Sequence, residues 1–304
     1  MEIVQSLNKS TLNMKDVQEI NKQTLAQRIK AYKRQPLSLC LLILVVASAV
    51  VTIGILLFLI GYILLNGLRN LSLDLFAWEY TTDNVSMLPA MINTLYMTGL
   101  TLLIAVPIGV FSAIYLVEYA KRGNKIVKIV RVTTETLQGI PSIVYGLFGY
   151  LMFCIGMNWG YTLLAGAITL AIMVLPVVMR TTEEALLAVP DSYREGSFGL
   201  GAGRLRTVFK IVLPAAMPGI VAGVILAIGR IVGETAALIF TAGTVATAAT
   251  GLFDSTRTLA VHMYCLLNEG LYMEQAYATA VVLLVMVLGI NALSSYVAKR
   301  FTKS

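Results

Sequence analysis

Histidine occurs once and cysteine three times in this chain of 304 residues, and only 13% of its residues are charged. One histidine cannot supply a His-based zinc site, and no Cys or His cluster has metal-ligand spacing, so no metal is expected. There is no G-x-x-x-x-G-K-[ST] loop to cradle nucleotide phosphates, which excludes that mode of ATP binding by the chain itself. A G-x-S-x-G elbow is missing as well. The glycine-rich GLGAG at 199–203 falls between two expected short helices rather than after a strand, which removes a dinucleotide reading. The expectation is a non-catalytic chain without a cofactor.

Apolar length is what the chain has instead. Hydrophobic residues make up 58% and the mean hydropathy is +0.80, more than a soluble core of this size hides. A helix needs roughly 20 apolar residues to cross the hydrocarbon core of a bilayer. Six segments qualify, at about 38–66, 90–119, 137–156, 161–179, 216–240 and 275–297. The first is too long for a signal-peptide core and no cleavage site follows it, so it reads as a retained span. The predicted class is an all-α polytopic membrane protein with six transmembrane helices.

Basic residues set the orientation. With the N-terminus inside, twenty of the twenty-three Lys and Arg fall in inner segments, among them Lys121, Lys125, Lys128, Arg131, Arg180, Arg194, Arg204, Arg206 and Lys210. The proposed outer loops hold only Arg69 and Arg257, so the positive-inside rule places both termini in the cytoplasm. The formal charge of +7 is then explained by topology and anionic lipid headgroups, and no nucleic-acid partner is implied. The first 34 residues are polar, with an amphipathic stretch at about 25–32 or no fixed structure as the open readings. Cys40 lies in the first span, and Cys154 and Cys265 fall near the outer face, where nothing in the spacing sets the distance a disulfide needs. His262, in the last outer loop without companions, reads as a surface residue.

The most informative stretch is 195–214, EGSFGLGAGRLRTVFKIVLP. Asp191 or Ser192 is suited to cap a helix running to Leu200, and Gly201 suits the left-handed residue that ends it. A second short helix, Gly203 to Val212, is expected to stop near Pro214. Two short helices joined at a glycine make a compact knob. Its fixed positions are Glu195, Gly196, Ser197, Gly201, Ile211, Leu213 and Pro214, and their spacing resembles the E-A-A-x3-G-x9-I-x-L-P loop of the membrane subunits of bacterial ABC importers. Gly196 and Ser197 replace two alanines with residues that are also small. In that family the loop docks into a cytoplasmic ATPase, so the resemblance implies ATPase coupling at these seven residues.

AIYLVEY at 113–119, GIPSIVYGLFG at 139–149 and IGRIVGETAALIFTAG at 228–243 resemble the phosphate-specific members of these permeases, of the PstA type. The resemblance runs from about 113 to 243 and, more weakly, through LAVHMYCLL to the last span. It implies the type I, MetI-like importer fold in the bacterial inner membrane. It also implies as partners a homologous PstC-like permease, two copies of a PstB-like ATP-binding subunit and an extracytoplasmic PstS-like phosphate-binding protein. ATP would then be hydrolysed by a partner, and phosphate would be the cargo. By the same likeness, residues 1–36 are an N-terminal segment, 37–300 the permease domain with its coupling loop at 181–214, and 301–304 a tail.

Arg230 is the expected substrate residue. It lies 16 positions after Pro214, about 24 Å along a helix, well inside the bilayer. A guanidinium there is costly unless it faces protein, water or a counter-charge, so it is a functional hypothesis by default. Glu234, one turn later, is a ready partner. Gly219, Gly223, Ala227, Arg230, Glu234 and Ala237 share one helical face, and with Gly229 and Gly233 beside it this predicts close packing against another subunit or the pore axis. Arg suits phosphate because its planar fork donates two parallel bonds. A purely structural Arg230–Glu234 pair is the competing reading. Arg180 with Glu183 and Glu184 marks the inner end of the fourth span, as topology alone would place them or as an exit site. Ser142, Asn93 and Thr94 either line the path or bond a neighbouring helix. Three alternatives to phosphate import by a PstA-type chain remain: another oxyanion (phosphonate, sulfate or molybdate), the PstC-like sibling, or an ATP-independent secondary transporter.

Overall fold

A computed structural model describes residues 36–121 and 123–302, with side chains described for 37–121 and 123–296. The readings made for residues 1–35 lie outside these. The chain divides into two compact units, up to Tyr62 and from Ile63 onward. The first helix of the described residues, α1 (Pro36–Arg69), carries no charge before Arg69 in its last turn, and its 33-residue stretch Leu37–Arg69 is apolar and long enough to span.

In the second unit α2 (Leu88–Ile114) ends in a π-helical turn, Tyr115–Tyr119. Next come α3 (Lys125–Gln138), α4 (Ser142–Gly149) with a π segment Tyr150–Gly156, and α5 (Leu163–Leu187). Then follow α6 (Asp191–Gly199), α7 (Arg204–Thr207), a third π segment Val208–Val212, and α8 (Leu213–Val232). The chain closes with α9 (Ala236–Thr241), α10 (Leu259–Glu269) and α11 (Met273–Thr302). Among the described residues five helical stretches are long and apolar enough to span a membrane, and six if α3 with α4 counts as one.

The central post is α5, with 67% of its most apolar window buried against 33% for the spans of α2 and α8. Leu170, Met173, Val174 and Val178 pack with Met97, Ala105, Ala227, Ile231 and Leu238 in the main core. Small residues set the close crossings. A Cβ on Gly109 would meet Val178 at 2.8 Å, one on Gly219 would meet Ala185 at 2.6 Å, and one on Gly223 would meet Thr181 Oγ1 at 1.9 Å. The glycines of YGLFG serve the same end: a Cβ on Gly146 would meet Ala237 at 2.8 Å and one on Gly149 would meet Thr241 at 2.8 Å, so α4 lies on α9.

Several expectations change. The third span is not a single helix over 137–156, because α3 and α4 meet at 103°. Pro141 is responsible: it disfavours the helical conformation in the residue before it, so α3 ends at Gln138 and α4 starts afresh. The fourth span runs to Leu187 rather than 179, since its charged last turns find ionic partners. The fifth is not one helix over 216–240: α8 stops at Val232, and Glu234 Oε1 accepts from the Ala237 N–H at 3.1 Å, starting α9.

His262, expected at the surface, is fully buried beside Arg257 and Tyr80. The Arg257 guanidinium lies 4.6 Å over the Tyr80 ring. Burial, then the Arg257 charge, pushes the His262 pKa down to about 3. Asn93 is buried and bonds a neighbouring segment. Its amide donates to the carbonyls of Thr247 (2.9 Å) and Arg257 (3.2 Å) and accepts from Ala249 N–H (2.9 Å), pinning the loop after α9. Thr94 likewise accepts from Leu259 N–H at 2.8 Å. All three cysteines are free.

Candidate functional site

The knob is built by local chemistry. Pro190 precedes the first turn of α6, and Asp191 sits inside that turn rather than capping it. At the other end Gly201 takes a left-handed conformation, φ +82°, while its N–H donates to Phe198 and the Ala202 N–H donates to Ser197. This pair of bonds is the Schellman arrangement that closes a helix and needs glycine at its turning point. The chain then re-enters a helix at Arg204, and Ser197 Oγ lies 2.8 Å from Thr207 Oγ1, both buried, joining α6 to α7. Ser197 thus faces the inside of the knob, where a larger side chain would separate the two helices. Glu195, Gly196 and Gly201 remain exposed, as do the apolar Tyr193, Phe198, Leu200 and Leu205.

Pro214 does not stop the second helix. The π segment Val208–Val212 lets Leu213 N–H reach back to the Val208 carbonyl, and Pro214 follows directly at the start of α8. Arg204–Val232 is therefore one helical stretch. Ile211 and Leu213 are half-buried on it.

The knob's attachment rests on a residue that sequence reasoning counted only for topology. Arg194 Nε and Nη2 donate to Glu118 Oε1 at 3.1 and 2.7 Å, Nη2 also donates to the Leu186 carbonyl at 2.9 Å, and Nη1 donates to the Val189 carbonyl at 2.8 Å and to Asp191 Oδ1 at 3.2 Å. Glu118 is 76 positions away, so no local spacing announces the pair. A cleft of about 880 Å³ opens beside it, with Lys121, Lys125, Lys128 and Arg204 on its walls.

Arg180 and Glu183 belong to an ionic ladder between α5 and α3. Arg180 bonds Glu184 at 3.0 Å and Glu135 at 3.4 Å, and Glu183 pairs with Arg131. Ser142, half-buried, opens α4 just after the bend.

Arg230 stands apart from all of these. It is half-buried, and among the described residues it has no carboxylate within ion-pair distance. The Arg230–Glu234 pair is not formed, because the helix that would align them ends at Val232 and Glu234 is engaged at α9. Gly219 sits against Ala185 and Gly223 against Thr181, and Arg230 follows two turns later in the last turn of α8. Gly219 and Gly223 thus pack on α5 within the chain, while a Cβ on Gly229 would meet nothing within 4 Å.

The family model for binding-protein-dependent transport system inner membrane components matches residues 105–303. The chain belongs to that family. It is 36% identical over 266 residues to the probable ABC transporter permease protein YqgI of Bacillus subtilis, covering 80% of this chain and 88% of that protein. It is 35% identical over 218 residues to the phosphate transport system permease protein PstA of Haemophilus influenzae, covering 71% and 77%. Among solved structures it superposes on a chain of the MetNI methionine ABC transporter with a TM-score of 0.56 at 21% identity, covering 69% and 93%. The fold is that of the MetI-like permeases, and the resemblance read from the motifs holds. This is a multi-pass inner membrane permease of the ABC transporter class, whose members are transport subunits rather than catalysts.

Proposed function

We propose that this permease carries phosphate inward as the PstA-type subunit of an ATP-driven importer. The observation that carries the reading is Arg230: a half-buried guanidinium in the last turn of α8 with no carboxylate beside it among the described residues. Such a charge is stabilised by an anion that passes, and a planar fork fits a tetrahedral oxyanion. Relatives at 34–42% identity named as phosphate transport permeases support phosphate as that anion.

In this reading both termini and the knob are cytoplasmic, residues 37–300 form the permease domain, and the coupling loop begins after Leu187. Glu195, Gly196 and Gly201 face the ATPase groove with Leu200 and Leu205, while Ser197, Ile211, Leu213 and Pro214 fix the knob's shape. Arg230 lies on the surface of this chain, so a homologous PstC-like permease closes the path around it. Ser142 and Glu234 flank that path, and Arg180 with Glu183 stands at its inner mouth, where the ladder to α3 holds the exit shut. Two PstB-like ATPases drive the cycle, and a PstS-like binding protein delivers phosphate from outside.

The test is uptake of phosphate by the reconstituted complex with native chain, Arg230→Gln and Arg230→Lys, competed with sulfate, molybdate and a phosphonate. Uptake that is lost in Arg230→Gln and resists the other anions supports the reading. If sulfate or a phosphonate is carried in preference, the machine stands with a different cargo; normal phosphate uptake by Arg230→Gln removes Arg230 from the path.

A further inference from the structure

The knob and α2 meet where two arginines converge on one short turn. Arg194, on α6, grips Glu118 through two nitrogens, and the Arg204 guanidinium, on α7, lies 5.8 Å over the Tyr119 ring. Glu118 and Tyr119 both belong to the π-helical turn Tyr115–Tyr119, closed by the Ala120 N–H on the Tyr115 carbonyl at 2.9 Å. Such turns are single-residue insertions in an α-helix and occur often where a helix does functional work. The Glu118 side chain is only 8% exposed and that of Arg194 14%. The remaining donors of Arg194 hold the Leu186 and Val189 carbonyls at the end of α5. One side chain therefore fastens α6 to the ends of two helices that cross closely at Gly109 and Val178.

Apolar packing also joins these parts: Leu116, Leu186, Val189 and Val208 share a cluster. That packing is non-directional and tolerates sliding. Charge-assisted bonds from a planar guanidinium do not slide, because distance and plane are both fixed.

We propose that the Arg194–Glu118 pair is the brace through which movement of the knob is passed to α2. The inference rests on the importer reading above. Both are positioning residues, since neither reaches Arg230. Removing Glu118 leaves the knob tied to α5 by the Leu186 and Val189 carbonyls but releases it from α2. Docking and ATP hydrolysis then continue, and transport no longer follows them.

The experiment uses the assembled complex in proteoliposomes with phosphate and its binding protein, reading phosphate uptake and ATP hydrolysis on the same vesicles. Glu118→Ala is expected to keep phosphate-stimulated hydrolysis within about twofold while phosphate moved per ATP falls about tenfold, the scale of one charged hydrogen bond. Glu118→Gln, which keeps an acceptor, should lose about threefold on the same ground. A ratio unchanged in Glu118→Ala overturns the inference. So does a proportionate loss of uptake and hydrolysis, since the pair then only maintains shape. Should Glu118→Ala fail to assemble, the Glu118→Gln ratio decides, and an unchanged value there overturns it. A native complex that moves no phosphate with ATP refutes the importer reading instead, and is recognised before any variant is compared.

Discussion

At the knob, Arg194 has all three guanidinium nitrogens on acceptors, whereas Arg230, near the end of α8, meets no carboxylate among the described residues. Both are arginines in a chain short of charge, and both lie on helices next to α5. The difference lies in what surrounds them. Arg194 sits where a helix ends, and helix ends expose carbonyls that need donors. Arg230 also lies in the last turn of a helix, α8, yet no carboxylate among the described residues reaches its guanidinium.

The comparison breaks most sharply at Arg194. Arg194→Ala leaves Glu118 buried without its cation, so the chain in detergent should lose about 3–5 kcal/mol of unfolding free energy. Arg230→Gln should leave the unfolding midpoint unchanged or raised while uptake falls roughly a hundredfold, the upper scale for a hydrogen bond to a charged group. If Arg230→Gln unfolds the protein as Arg194→Ala does, the contrast between spent and unspent donors is wrong.

One substitution made in both regions sharpens the point. Gly223→Ala puts a Cβ 1.9 Å from Thr181 Oγ1 and should cost about 1–3 kcal/mol by overpacking α8 on α5. Gly196→Ala meets nothing within 4 Å and should be neutral, as thermal unfolding of the two variants side by side would establish. The far end of the second unit offers a pH readout. His262 has its folded pKa near 3, below the ordinary 6.5, so its contribution is complete above about pH 6.5 and is lost as pH falls toward 3. Denaturant titrations between pH 7 and 4 should show that slope, at most about 1.4 kcal/mol per pH unit, and His262→Gln should flatten it. Smallest is Ser197→Ala, about 1 kcal/mol or less, because Thr207 Oγ1 keeps its bond to the Gly203 carbonyl.

What the sequence disclosed was local. The left-handed Gly201, the knob and the spans of α1, α2 and α11 follow from neighbours within a few positions. The end of α8 was hidden because GETAALIF stays apolar across the break, and only the capping bond from Glu234 marks it. The continuity through Pro214 was hidden because a π segment has no periodic signature of its own. Arg194 was visible as charge but not as a fastening, since Glu118 is a lone acid at the end of an apolar run. His262 misled for a related reason: an isolated polar residue looks solvated until distant elements fold over it.

The unbroken stretch from Arg204 to Val232 has a mechanical meaning. It is a rod of about 43 Å that carries the knob's second helix at one end and Arg230 near the other. Gly219 and Gly223 press it against α5 between those points. That crossing is a fulcrum, with about 25 Å of rod on the knob side and about 14 Å on the side of Arg230. In the proposed importer, a push on the tip would swing the guanidinium the opposite way through roughly half the distance, exchanging travel for force.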